Sequence, residues 1–216
     1  MSLQDLPLRI VEAALEQFGR LGFDGASTRE IARASGVAMS SITYHFGGKH
    51  GLFLACADHI ADVIGEVLLP LREQINAQPP RNPQEATEWG LALLENFARL
   101  MLSPQSATFS SFIAREQQHP TEAFERLYQR LMRPMIDTSL GLLAISRPAL
   151  SDRERRAMIL HVMGMALVLR LARACVVRTM QVDDIDAATA DFLITSLRRS
   201  AQGLLMPDPA PGAIQP

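Results

Sequence analysis

The stretch Ser27 to Leu52, STREIARASGVAMSSITYHFGGKHGL, constrains this chain more than any other, because it sets two short helices on either side of a turn with room for only a sharp reversal. Ser27 and Glu30 have the S-x-x-E spacing of a capping box, which predicts a helix from Thr28 that buries Ile31 and Ala32. In Ser35-Gly36-Val37, the glycine supplies the left-handed backbone such a turn needs and the valine an apolar plug beneath it. A second helix is predicted over about 38–46, anchored by Ile42 and Phe46 and exposing Met39, Ser40, Thr43 and Tyr44. A helix pair so joined, its second member presenting small or hydrogen-bonding side chains, suits the reading of DNA in a major groove.

Charge sharpens that expectation. Of 21 basic residues only Lys49 is a lysine, and it follows Gly47-Gly48, where a new helix should begin. An ammonium beside the free N–H groups of a helix start makes a compact phosphate clamp. Within residues 27–50, Arg29, Arg33 and Lys49 face a single acid, Glu30, while the whole chain carries a net charge of -2. Any attraction to nucleic acid is therefore local, with no global field behind it.

The rest of the chain reads as all-helical. No strand alternation of useful length occurs, and 48% hydrophobic content over 216 residues is ample for a core. Helices are predicted over about 8–21, closed by Gly22, and from Lys49 to Pro70, which stops or kinks it. After the loop 76–83 come 84–102, 105–118 and 121–145 with a kink at Pro134, then 151–179 opened by a Ser151/Glu154 capping box, and finally a helix capped by Asp183 or Asp184 that ends near 205. About nine helices result. The Pro-rich residues 206–216 are too poor in apolar groups to order themselves. Cys56 and Cys175 lie far apart in apolar runs, which argues for reduced, buried thiols and a cytoplasmic protein. The N-terminus shows no basic-then-apolar leader pattern, and the apolar run 157–169 is too short to span a membrane, so it is expected as a buried helix.

Taken together, FGRLGFDGASTREIARASGV and YHFGGKHGL resemble the TetR family of bacterial transcriptional repressors at its own spacing throughout. The resemblance implies a helix-turn-helix domain over 1–48 and a larger helical domain over 49–205 that binds ligand and dimerises. Position by position, it implies that Ser27 and Thr28 touch or cap toward phosphate, that Ser40, Ser41 and Thr43 face base edges or backbone, and that Tyr44, His45 and Lys49 grip phosphates. Most members place a tyrosine where this chain has Thr43, so Tyr44 would take over that contact. Further on, REQQHPTEAFERLYQRLMRPM, from Arg115 to Met135, is similar to a subgroup with a CerR-type C-terminal domain. Such proteins look like local repressors that bind a pseudo-palindromic double-stranded DNA operator as homodimers and are released by a small-molecule inducer.

Several constellations outside that motif bear on the ligand and on rival functions. Phe109, Phe112, Met135, His161 and Met165 mix aromatic and soft side chains, and with Arg115 or Glu116 as a polar contact they make the expected inducer site. His161 could equally be a satisfied core histidine. Glu116 and His119 share the E-x-x-H spacing of helical di-iron proteins, but no second copy exists, so no metal or other cofactor is expected; within the fold, Glu116 would bond inside the bundle and His119 end its helix before Pro120. Arg170 and Arg173 either pair with acids such as Asp186 or Asp191 across a dimer seam formed by helices near 152–179 and 184–205, the favoured reading, or one of them faces an anionic ligand. No nucleophile has a base by spacing, and G-x-S-x-G, H-E-x-x-H and phosphate-binding glycine loops are absent, so no catalytic residue is expected. The alternatives are a helical small-molecule-binding protein without DNA function and a di-iron helical oxidoreductase.

Overall fold

The structure, a computed structural model, describes residues 5–206, and every regular element among them is helical. The tail from 207 onward, expected to be unordered, lies outside the described residues. By compactness the chain forms two units: one takes residues up to Glu66 together with Ser103–Arg133, the other Val67–Leu102 together with the described residues from Pro134 on. The functional division expected at 48/49 does not coincide with any of the three boundaries between them. All three crossings between the units lie at or near a proline. Pro70 follows the first by a few residues, Pro104 is next to the second, and Pro134 stands at the third.

The first unit holds α1 (Asp5–Gly25), α2 (Thr28–Ser35), α3 (Met39–Phe46), the start of α4 (Lys49–Ala77), α6 (Pro104–Gln118), α7 (Glu122–Leu127) and a π-helical turn, Tyr128–Met132. Gly22, at φ 75, breaks the helical course of α1 where its apolar face ends. Ile10, Leu15, Phe18, Ile31, Ile42, Leu52, Ile60 and Phe112 are fully or almost fully buried at the centre. Phe53 joins the layers, with its ring edge-on to Phe18 at 4.9 Å and tilted against Phe112 at 4.9 Å. α6 lies so close on α1 that a side chain at Gly19 would reach to 3.1 Å of the Ser111 Cβ. Cys56 is buried here with its sulfur 3.8 Å from the Val11 carbonyl, and burial pushes its thiol far up from the ordinary range.

The second unit holds the rest of α4, α5 (Pro83–Leu102), α8 (Arg133–Ser146), α9 (Asp152–Leu171), α10 (Arg173–Met180) and α11 (Ala187–Leu205). α5 packs against both α9 and α11, and Arg198 of α11 bridges Glu88 and Glu95 of α5. Ile75, Ala86, Leu93 and Leu142 form one core cluster, flanked by Leu71, Trp89 and Met135.

Several expectations need correction. Pro70 does not stop α4, which runs on to Ala77; Pro70 has no N–H to offer the Glu66 carbonyl, and the unit boundary falls there. The helix expected over 121–145 divides into α7, the π turn and α8, because Pro134 removes the bond to the Arg130 carbonyl and its ring crowds that turn. The helix expected over 151–179 breaks at Ala172 (φ -112, ψ 30) and bends by 84°, with no proline or glycine to announce it. α11 is capped by Asp186, whose carboxylate accepts the Thr189 N–H at 2.8 Å, while Asp184 instead accepts from Arg173. The apolar run 157–169 is not buried all round: Leu160 is 66% exposed and Val168 46%, and His161 also faces outward, so it is no core histidine. Cys175 is exposed on α10 because the bend turns that helix off the core. Among the described residues, no single helix is long and apolar enough to cross a membrane.

Candidate nucleic-acid interface

The turn between α2 and α3 is built from backbone bonds. Gly36 adopts the left-handed conformation (φ 66, ψ 36), its N–H donating to the Arg33 carbonyl at 3.2 Å and that of Val37 to the Ala32 carbonyl at 3.0 Å. This closure satisfies carbonyls that the end of α2 would otherwise leave orphaned. Ile42 is buried beneath α3, and Met39, Ser40, Thr43 and Tyr44 point outward as their spacing predicts, with Tyr44 85% exposed. His45 is exposed and stands edge-on to Tyr44 at 4.9 Å; Ser41 is half-buried. Gly47, at φ 71, ends α3 by donating to the Thr43 carbonyl at 2.9 Å.

Neither helix of the pair is capped at its start by a side chain. The Ser27/Glu30 box expected from sequence does not form: Ser27 makes no cap bond, and Glu30 turns to Arg33 at 2.9 Å. An arginine three residues on competes for the carboxylate, and spacing alone cannot weigh that competition. Ala38 precedes α3 and has no side-chain oxygen to offer; its carbonyl accepts the Ser41 N–H at 3.0 Å. No side chain therefore covers the Thr28 and Arg29 amides at the start of α2 or the Met39 and Ser40 amides at the start of α3, each with the positive end of its helix dipole.

Lys49 begins α4, its Nζ 3.3 Å from the Asp24 carbonyl and 4.7 Å from the centre of the Phe23 ring. That seat holds the charge beside the helix pair. Gly51 was missed in the sequence reading, although it lies in the motif itself. A Cβ there would come within 1.8 Å of the Phe46 carbonyl oxygen, so only glycine lets α4 start directly against the end of α3.

The seven side chains expected at an inducer site fall into both units. Phe109 and Phe112 are buried in the first, and Arg115 beside them donates to the Arg20 carbonyl at 3.0 Å. Glu116, 4% exposed, accepts from the Thr121 hydroxyl at 2.7 Å and from the Thr121 and Phe124 N–H groups at 3.2 and 3.0 Å, so it fastens the start of α7. His119 ends α6, as its place before Pro120 predicts. In the second unit Met135 flanks the core cluster, Met165 is half-buried and His161 faces outward on α9. An open groove of about 800 Å³ in the first unit touches none of the seven; Arg9, Glu12, Glu16, Arg20 and Thr108 are among its lining. Within the chain both Arg170 and Arg173, expected at a dimer seam, have partners. Arg170 donates to the Met101 carbonyl at 2.8 Å and Arg173 pairs with Asp184, while Asp191 takes Arg99 at 3.2 Å.

A glycine-turned helix pair with an exposed polar second helix, set ahead of an all-helical body, defines a helix-turn-helix protein. Residues 10–56 match the TetR family of bacterial regulatory proteins, and residues 91–204 match the C-terminal domain of the HTH-type transcriptional dual regulator CecR. CecR of Shigella flexneri is 36% identical over 171 residues, covering 76% of this chain and 75% of that protein. The chain therefore belongs to the TetR family, and within it to the proteins with the CecR C-terminal domain, which is the subgroup expected above under the label CerR. The fold is shared with AibR, solved with isovaleryl coenzyme A and operator DNA (TM-score 0.67, 16% identity, 90% of this chain and 97% of that one). It is also shared with FadR of Bacillus subtilis, solved with stearoyl-CoA (TM-score 0.60, 18% identity, 92% and 97%).

Proposed function

We propose that this protein is a cytoplasmic, ligand-responsive transcriptional repressor that binds a pseudo-palindromic double-stranded operator as a homodimer, works by binding without catalysis, and leaves the DNA when a small-molecule inducer binds. The observation that carries this reading is the outward face of α3: Ser40, Thr43 and Tyr44 exposed on a helix whose far side is fixed by Ile42. Residues 1–48 read the operator, and residues 49–205 supply ligand binding and dimerisation. Ser27, Thr28, Tyr44, His45 and Lys49 hold phosphates, and Ser40, Ser41 and Thr43 meet base edges or backbone. For two copies of α3 to enter successive major grooves they must stand about 34–36 Å apart. The face that pairs them is the outer stripe of α9 and α11, where Leu160, Val168, Leu171 and Phe192 are exposed and Gly164 allows close approach.

The inducer is expected to act through side chains such as Phe112, Arg115 and Glu116, since these hold α6 and α7 in the unit that carries α3. A ligand shifts operator binding only by its difference in affinity between the two dimer states. Acyl-coenzyme A thioesters are the first class to try, because AibR and FadR hold them. Mobility shifts with DNA flanking the protein's own gene, with and without isovaleryl-CoA and stearoyl-CoA, test the reading. Retarded DNA released by either thioester supports it in full; retarded DNA released by neither removes that ligand class, and no retardation removes the operator.

A further inference from the structure

The buried end of α2 can be accounted for carbonyl by carbonyl. The Ser35 hydroxyl lies 2.8 Å from the Ile31 carbonyl and 3.3 Å from that of Ala32, and the Val37 and Gly36 N–H groups take Ala32 and Arg33. Past the exposed Ala34, the Ser35 carbonyl belongs to a residue only 4% exposed, and its partner arrives from 26 residues earlier in the chain: the Arg9 guanidinium of α1 donates to it at 2.5 Å. A carbonyl buried without a donor is costly, and a cation at a helix C-terminus also answers the dipole. The same guanidinium lies 3.2 Å from where a Gly36 Cβ would stand. Glycine at 36 thus serves twice, admitting the left-handed turn and leaving room for Arg9.

We infer that Arg9 is a positioning residue for operator recognition: by holding the Ser35 carbonyl it fixes the Ser35-Gly36 peptide, and with it the direction in which the chain enters α3. The inference rests on the operator reading above. It differs from the phosphate contacts in that Arg9 is half-buried on α1 and lies outside the exposed face of α3. Removing its donor should loosen the turn while every DNA-facing side chain stays in place.

The test uses the full-length protein, an operator fragment from beside its own gene, and the variants Arg9→Met and Arg9→Lys. Arg9→Met keeps the stem and loses the donors; Arg9→Lys keeps a charge and a donor that can reach one carbonyl. Expected are a tenfold or larger loss of affinity in Arg9→Met, an unchanged dependence of affinity on salt, faster hydrogen exchange at the Gly36 and Val37 amides, and partial recovery in Arg9→Lys. Wild-type affinity in Arg9→Met overturns the inference, as does a salt slope smaller by about one with unaltered amide exchange, which marks a direct phosphate contact. If Arg9→Met does not fold, Arg9→Lys decides, since wild-type affinity together with unaltered amide exchange overturns the inference and weaker binding with faster exchange upholds it. If the wild type binds no fragment, the operator reading fails on its own account; the amide exchange then decides whether Arg9 holds the turn.

Discussion

The helices of the body and the helices of the recognition pair begin differently. α6, α7, α9 and α11 each start with a side chain that accepts a first-turn N–H, from Ser103, Thr121, Ser151 and Asp186, and Asn82 does the same ahead of α5 by accepting from Glu85 at 2.9 Å. α2 and α3 start with none, and outside the pair α10, which follows the bend at Ala172, also lacks one. Ser151 and Ser27 stand in the same S-x-x-E motif, yet only the first closes, with the Glu154 carboxylate 2.7 Å from the Ser151 N–H. Five helices outside the pair thus satisfy a first-turn amide with a side chain, whereas amides left open on an exposed face remain available to an anion from outside. The exposed faces differ in the same sense. α3 turns small polar groups outward, α9 turns out leucine and valine, and the two suit a polyanion and a second apolar surface respectively.

The largest expected effect separates the two regions outright. Gly51→Ala must push α4 off the end of α3, and the cost should reach or exceed about 3 kcal/mol, the upper end of ordinary overpacking. The loss should be confined to the first unit, so that operator binding and amide protection in α2 and α3 fall while the fluorescence of Trp89, the single tryptophan, stays native. A matching loss in the Trp89 signal would show that the units do not respond separately.

Gly164→Leu probes the apolar face. Nothing in the chain lies within 4 Å of a Cβ at that position, so the isolated protomer should tolerate it, while a paired α9 should be overpacked by about 1 to 3 kcal/mol. Sedimentation reads the difference as a weakened dimer, and a wild type already monomeric at micromolar concentration would refute the pairing. The two capping motifs give the direct comparison. Ser151→Ala should cost about 1 kcal/mol, whereas Ser27→Ala should leave thermal stability almost unchanged and weaken the operator complex. Equal losses of stability would erase the contrast. The Ser151 hydroxyl and N–H hold the Glu154 carboxyl below the usual range, so its contribution is present at neutral pH and is lost as pH falls through the lowered value; Ser151→Ala removes the hydroxyl alone and should weaken that acid dependence without abolishing it.

Lys49→Ala should also cost little stability. Its cation–π seat on Phe23 is worth about 0.5 to 1 kcal/mol at an exposed site. Its loss from the operator complex should lower the salt slope by about one, and an unchanged slope would leave Lys49 a role in packing alone.

The sequence alone determined the helical class, the turn at Gly36, the outward set Met39, Ser40, Thr43 and Tyr44, and the Ser151 box, because each follows from a period or a backbone preference spanning a few residues. Tertiary structure decided whatever depended on competition between distant groups. Arg173 took Asp184, and Asp191 took Arg99 from another helix. α9 bent at Ala172 without a breaker residue. α6 and α7 joined the recognition unit although the chain reaches them only after α5. The need for glycine at 51, where a Cβ would meet the Phe46 carbonyl oxygen, and the 2.5 Å tie from Arg9 to Ser35 arise from close approach between separate helices, and a local pattern carries no record of it. Short-range preferences are written residue by residue, whereas the choice among partners is made only when packing brings them together.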